Sequence, residues 1–116
     1  MAEVTLLLRG QIYWIALDAP ISGEAAQLRP ALVLSNDIGN RLAEHVIVAP
    51  ISSSRKRVYP FEVQIAAGEG GLDRLSKVLL DQIRTVDNVR IGALIGGLGV
   101  ERMREVDAAI RISLHL

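Results

Sequence analysis

The sequence predicts an α+β domain with a small, curled antiparallel sheet, closed by a carboxy-terminal amphipathic helix. Three observations predict it. Short apolar runs rich in Val, Ile and Leu recur between clusters of Gly, Pro, Asn and Ser. Phe61-Glu62-Val63-Gln64-Ile65 alternates strictly, as a half-buried strand does. Near the end, Val100, Met103, Val106, Ile110 and Leu114 recur at three- and four-residue steps and form one helical stripe.

Taken in order, Gln11 to Leu17 is rich in β-formers, carries the only tryptophan, Trp14, and predicts the first strand. Asp18 to Leu28, with Pro20 and Gly23, has no period and predicts a long loop ending at Arg29. Pro30 suits the start of the next strand, Ala31 to Leu34, where its missing N–H matters least. Asn36 to His45 contains Asp37, Gly39 and Asn40 and predicts a connection with one helical turn. Val46 to Ile51 is the third strand, and Ser52 to Arg57 reads as a solvated hairpin turn or a phosphate-contacting loop. After the alternating strand at 61–65, the glycines of Ala67 to Leu72 predict a turn. Lys77 to Leu80 predicts a fifth strand, and Asn88 to Ile95 a short helix stopped by Gly96-Gly97. Gly99 caps the terminal helix without a side chain to do it.

At 116 residues the chain is one domain, 1–116, without internal repeats or linkers. Half its residues are hydrophobic yet only 3% are aromatic, so the core is aliphatic. A mean hydropathy of +0.31 is high for a small domain, which exposes much of its surface, and predicts that a partner covers part of it. Thirteen cations balance thirteen anions, so contact with a polyanion must come from a local patch. The absence of cysteine excludes disulfide and thiol chemistry and fits a reducing compartment. The amino terminus lacks the charge and cleavage pattern of a signal peptide, and no apolar run reaches the roughly 20 residues of a membrane span. The expectation is a cytoplasmic protein without membrane contact.

Three apolar strands end in polar groups: Arg29-Pro30 and Ser35-Asn36-Asp37 flank one, Ser52-Ser53-Ser54-Arg55-Lys56-Arg57 follows another, and Asp81-Gln82-Ile83-Arg84-Thr85 follows a third. That set suits a phosphate-bearing substrate. The planar guanidinium holds a phosphate through two hydrogen bonds. RNA is cut without a metal when its own 2'-hydroxyl attacks the adjacent phosphorus, which requires proton removal, stabilised phosphorane charge and departure of the 5'-oxygen. An Arg, a hydroxyl and a carboxylate divide those tasks. A plainer alternative has Arg29 and Asp81 as an ion pair capping neighbouring strands, and residue type alone favours it. Tyr59 and Phe61 offer stacking faces, or core in the case of Phe61. Gln82 suits a base edge or a backbone partner. There is no Cys/His cluster, HExxH or phosphate-binding glycine loop, so no metal or other cofactor is expected. His45 and His115 are isolated.

Together these segments resemble the MazF/PemK/Kid family of toxin endoribonucleases. The resemblance is carried by Arg9-Gly10-Gln11-Ile12-Tyr13-Trp14, Arg29-Pro30, Leu32 to Asp37, Val48-Ala49-Pro50-Ile51-Ser52-Ser53, Asp81 to Asp87, and Met103, Val106-Asp107 and Ile110. It implies an SH3-like barrel with appended helices, acting as a homodimer that cuts single-stranded RNA at short sequence sites without a metal and is inhibited by an antitoxin protein. By position, the resemblance implies Arg29, Ser52 and Asp81 as catalytic residues. Ser52 stands where the family usually has Thr. Glu24, Asn36, Ser53, Lys56, Gln82 and Arg84 are the candidate RNA contacts. The loop Ser22 to Leu28 departs from the family pattern, with Gly23 where some members have His, and Leu79 replaces an Arg found in others. A gyrase-binding toxin of the same fold (CcdB-like) is the alternative, but the end Ser113-Leu114-His115-Leu116 lacks its Trp-Gly-Ile. A non-catalytic RNA-binding barrel is the third reading.

Overall fold

The computed structural model describes residues 7–18 and 27–116. Its elements are β1 (Gln11–Ala16), β2 (Leu28–Val33), α1 (Asp37–Leu42), β3 (His45–Ser53), β4 (Glu62–Ile65), β5 (Ser76–Leu79), β6 (Arg84–Asp87), β7 (Ile91–Gly97) and α2 (Val100–Leu114). Two 3-10 turns, Glu69–Gly71 and Asn88–Arg90, complete them. The strands form one antiparallel sheet in the order β4-β5-β3-β2-β1-β7, with β6 also on β3. One edge of β3 is thus divided: His45 to Val48 pair with β6, and Ile51 to Ser53 with β5. No pairing joins β4 to β7 among the described residues, so the sheet is open rather than a closed barrel.

Both faces of the central strands are buried, which explains why they read as continuous apolar runs. One face carries Ile12, Leu32, Ala49, Ile51, Ile65 and Leu80 and receives Val106 and Ala109 of α2. The other gathers Tyr13, Ile15, Ala31, Val33, Val48 and Val86. Burial of Tyr13 raises its phenol pKa. The α2 stripe packs through Met103, Val106 and Ile110, but Val100 and Leu114 at its ends lie exposed and Ala109 joins the core instead.

Two expectations are corrected. Asn88 to Ile95 is not a helix: one 3-10 turn leads into β7, which pairs with β1. Its Ile-Gly-Ala-Leu-Ile-Gly-Gly sequence carries no strand alternation, and the pairing requires bare backbone. A Cβ on Gly92 would stand 2.8 Å from the Trp14 carbonyl oxygen, and one on Gly96 2.3 Å from that of Gly70. Ser52 and Ser53 belong to β3 rather than to the loop after it, so the sheet fixes their backbones. Of the predicted loop from Asp18 to Leu28, Leu28 opens β2, and residues 19–26, Glu24 among them, lie outside the described residues.

The motif Arg9 does not point to a substrate. Its backbone N–H donates to Asp37 Oδ1 at 2.7 Å, its Nε to the Leu34 carbonyl at 2.8 Å, and its Nη2 to Asp107 Oδ1 at 2.6 Å. This clasp ties the amino-terminal segment to α1 and α2. Beside it, Asn40 is buried, donating to the Leu7 and Ser35 carbonyls, with its amide oxygen on the Ser35 hydroxyl. No described helix is long and apolar enough to cross a membrane.

Candidate functional site

Arg29 and Ser52 meet through strand register. In the β2–β3 ladder Ala31 faces Pro50 and Val33 faces Val48. Continuing that antiparallel register by two residues sets Arg29 opposite Ser52. Pro30 between them donates no hydrogen bond, and beyond it β3 turns to β5, with Ser52 opposite Lys77. The two strands separate here, and a cleft of about 520 Å³ opens between them, lined by Asp18, Arg29, Ser52, Ser53, Gln82 and Arg84 over an apolar base that includes Pro50 and Leu79.

Two guanidiniums face this cleft. Arg84 Nη1 lies 3.3 Å from Asp18 Oδ1, an exposed pair. Among the described residues, Arg29 makes no side-chain hydrogen bond or ion pair, and it forms none with Asp81. The alternative of an Arg29–Asp81 strand cap therefore fails. A guanidinium that has no partner among the described residues keeps its donors open to an anion.

The structure brings together five of the sequence-derived residues: Arg29, Ser52, Ser53, Gln82 and Arg84. Asp81 is exposed in the turn between β5 and β6, next to Gln82 but outside the cleft lining. Asn36 sits at the opposite end of β2 from Arg29 and caps α1, its Oδ1 accepting from the Gly39 N–H at 2.7 Å. That end lies roughly 20 Å away along the strand. Lys56 is exposed in the β3–β4 connection, away from the cleft. Tyr59 and Phe61 stack on each other at 5.5 Å, with Arg57 over the Tyr59 ring, and neither lines the cleft.

The connection carrying these residues is anchored from below. Lys77 Nζ reaches Glu62 Oε1 at 3.0 Å and the Arg57 carbonyl at 3.2 Å, and the same carboxylate accepts the Tyr59 N–H at 2.9 Å. The pair is almost wholly buried, with side chains 11% and 7% exposed, and Lys77 Nζ and Glu62 Oε1 each make two hydrogen bonds. Sequence reading missed this pair and Asp18. Lys77 and Glu62 occupy strand positions where their partner is visible only once β4 and β5 are paired.

The chain is similar to known proteins along nearly its whole length. Residues 8–114 match the model of the PemK-like, MazF-like toxin of type II toxin–antitoxin systems. Over 112 residues the chain is 41% identical to the endoribonuclease EndoA of Bacillus subtilis (strain 168), covering 96% of this chain and 97% of that protein. The fold matches MazF in a MazE–MazF crystal structure from Deinococcus radiodurans with a TM-score of 0.80, at 26% identity, covering 97% of this chain and 99% of that one. A MazF toxin of Mycobacterium tuberculosis matches with a TM-score of 0.78, at 26% identity, over 91% and 97% of the two chains. Family model, sequence identity and fold agree, and the chain belongs to the PemK-like, MazF-like toxin family of type II toxin–antitoxin systems.

Proposed function

We propose that this chain is an endoribonuclease toxin that cuts single-stranded RNA in the cleft between Arg29 and Ser52, without a metal. The observation that carries the reading is the convergence, from adjacent strands, of a guanidinium unpaired among the described residues and a hydroxyl on one polar cleft. The relative from Bacillus subtilis named an endoribonuclease supports the reaction class. In the reaction the substrate's 2'-oxygen bonds to phosphorus as the bond to the 5'-oxygen breaks. The products are a cyclic phosphate and a 5'-hydroxyl, and the proton lost from the 2'-hydroxyl is balanced by one delivered to the 5'-oxygen. Arg29 neutralises charge on the phosphorane oxygens, and Ser52 donates a hydrogen bond to the reacting phosphate. Arg84 exchanges Asp18 for a phosphate, and Gln82 meets a base or ribose edge. Asp81 is our candidate for proton transfer, reaching the phosphate by a change of its turn; Ser53 and Lys56 contact flanking phosphates.

We further propose a homodimer. Leu94 on β7 and Val100, Ile112 and Leu114 on α2 are exposed aliphatics, surface that a second copy would cover. The open sheet, with β3 changing partners midway, reads as an SH3-like barrel with one seam unpaired. An antitoxin protein is the inhibitory partner, supported by the antitoxin-bound MazF structure from Deinococcus radiodurans.

The test is incubation of the pure protein with a mixed-sequence RNA in EDTA. Discrete cuts ending in cyclic phosphate are expected. Arg29→Ala should lower the rate by about a thousandfold or more and Ser52→Ala by about a hundredfold, as removal of transition-state donors does. An inert wild-type protein, or full rates from both variants, would overturn the reading.

A further inference from the structure

The cleft does not end at Ser53. A second hollow of about 480 Å³ shares Pro30, Ile51 and Ser53 with it and runs on to Trp14, Ile95 and Arg74. A third, of about 560 Å³, shares Ser53 and Arg74 with the second and reaches Arg55. The three form one furrow from Arg84 past Arg29 and Arg74 to Arg55. Its four arginines outnumber the two carboxylates that also line it, Asp18 and Asp73, so in a chain of zero net charge this is a local cationic track.

Trp14 stands beside the middle of this track. Its β1 neighbours Tyr13 and Ile15 are buried, but Trp14 points the other way and is 41% exposed. Its cross-strand partner is Pro30, the residue next to Arg29. The opposite wall is built on bare backbone. The turn Glu69–Gly71 lies directly on β7, where a Cβ on Gly71 would come within 2.3 Å of the Ile95 carbonyl oxygen. That contact leads the chain into Asp73-Arg74 across from Trp14, and Ser76 Oγ holds the Arg74 carbonyl at 2.8 Å. The Arg74 side chain has no ion-pair partner among the described residues.

We infer that Trp14 and Arg74 form a stacking subsite for a nucleotide flanking the scissile phosphate: the base lies on the indole and its phosphate meets Arg74. The inference rests on the endoribonuclease reading and extends its substrate to single strands that reach beyond the cut site. Every base offers a π-face, so the subsite adds affinity without choosing sequence. Sequence choice is left to the cleft around Gln82.

The test uses Trp14 emission, since it is the only tryptophan. Once cut sites are mapped, oligonucleotides with a 2'-deoxy nucleotide at the cut position are titrated, either minimal or extended on each side. Extended RNA should quench the emission and bind roughly 5- to 150-fold tighter than minimal RNA. Trp14→Ala should abolish that advantage and raise KM on long RNA by a similar factor, with kcat moving less than about threefold, and Trp14→Phe should restore most of it. Arg74→Ala, an exposed change, should weaken binding and lower the salt slope by about 0.7. Cutting with unquenched Trp14, or with Trp14→Ala and Arg74→Ala both keeping wild-type KM, would overturn the subsite and leave the endoribonuclease reading standing. Emission that responds to protein concentration but not to RNA would give Trp14 to a second copy and likewise overturn it. A wild-type protein that binds no RNA and makes no cuts would remove both.

Discussion

At the scale of single residues, the family motifs divide into two groups that a linear reading cannot separate. Arg29 and Ser52 face a cleft, whereas Arg9, Asp37 and Asp107 clasp one another and Ser35 and Asn40 close a turn. Asn36 belongs with the second group. Its carboxamide oxygen satisfies the Gly39 N–H at the start of α1, and it sits at the far end of β2 from Arg29. Asn36→Ala should cost about 1 kcal/mol of stability, the usual loss for an N-cap, while the cleavage rate per folded molecule stays that of wild type. Thermal melts alongside a cleavage assay check both halves, and a lost rate with an unchanged melt would return Asn36 to the substrate.

At the scale of elements, the connection from β4 to β5 is held to α2 by a two-pronged pair. Arg102 Nε meets Glu69 Oε2 and Nη2 meets Glu69 Oε1, each at 2.8 Å, and Arg102 also reaches Glu105. The hydrogen bond from Arg102 chiefly holds the Glu69 carboxyl below its ordinary range; burial opposes this and the Ala66 N–H adds to it. The same contact raises the Arg102 pKa. The sign follows from proton binding. The unfolded chain protonates Glu69 at higher pH than the folded one, so the pair's stabilisation is complete above about pH 4.5 and is lost as pH falls through the lowered folded value. Glu69→Gln should lower Tm at neutral pH and flatten its decline on acidification, as melts from pH 6 down to about 3 would read out. A parallel decline in both proteins would show that other carboxyls govern the acid limb.

At the scale of the whole molecule, zero net charge and a cationic furrow make different predictions about salt. If Arg29, Arg84, Arg74 and Lys56 each neutralise one phosphate, log affinity for uncleavable RNA should fall with log salt at a slope of about −3. A slope near zero would mean that the furrow does not carry the backbone. The exposed aliphatics of β7 and α2 make a separate prediction. The protein should sediment as a dimer at micromolar concentration, and its Tm should rise with protein concentration, because mass action couples folding to association. A monomer with a concentration-independent melt would leave that surface unexplained.

The sequence by itself determined the aliphatic core, five of the strands and the terminal helix, and its family resemblance singled out Arg29 and Ser52 as the proposed reacting pair. The core, strands and helix are each written in a local pattern: apolar runs, alternation or a helical stripe. Only the tertiary structure decided that Ile91–Gly97 is a strand, because its glycines acquire their purpose when the Trp14 and Gly70 carbonyls press against them. It also decided which polar residues share a cleft. Antiparallel pairing sets the start of β2 beside the end of β3 and sends Asn36 to the far end, and that register is a property of two strands together.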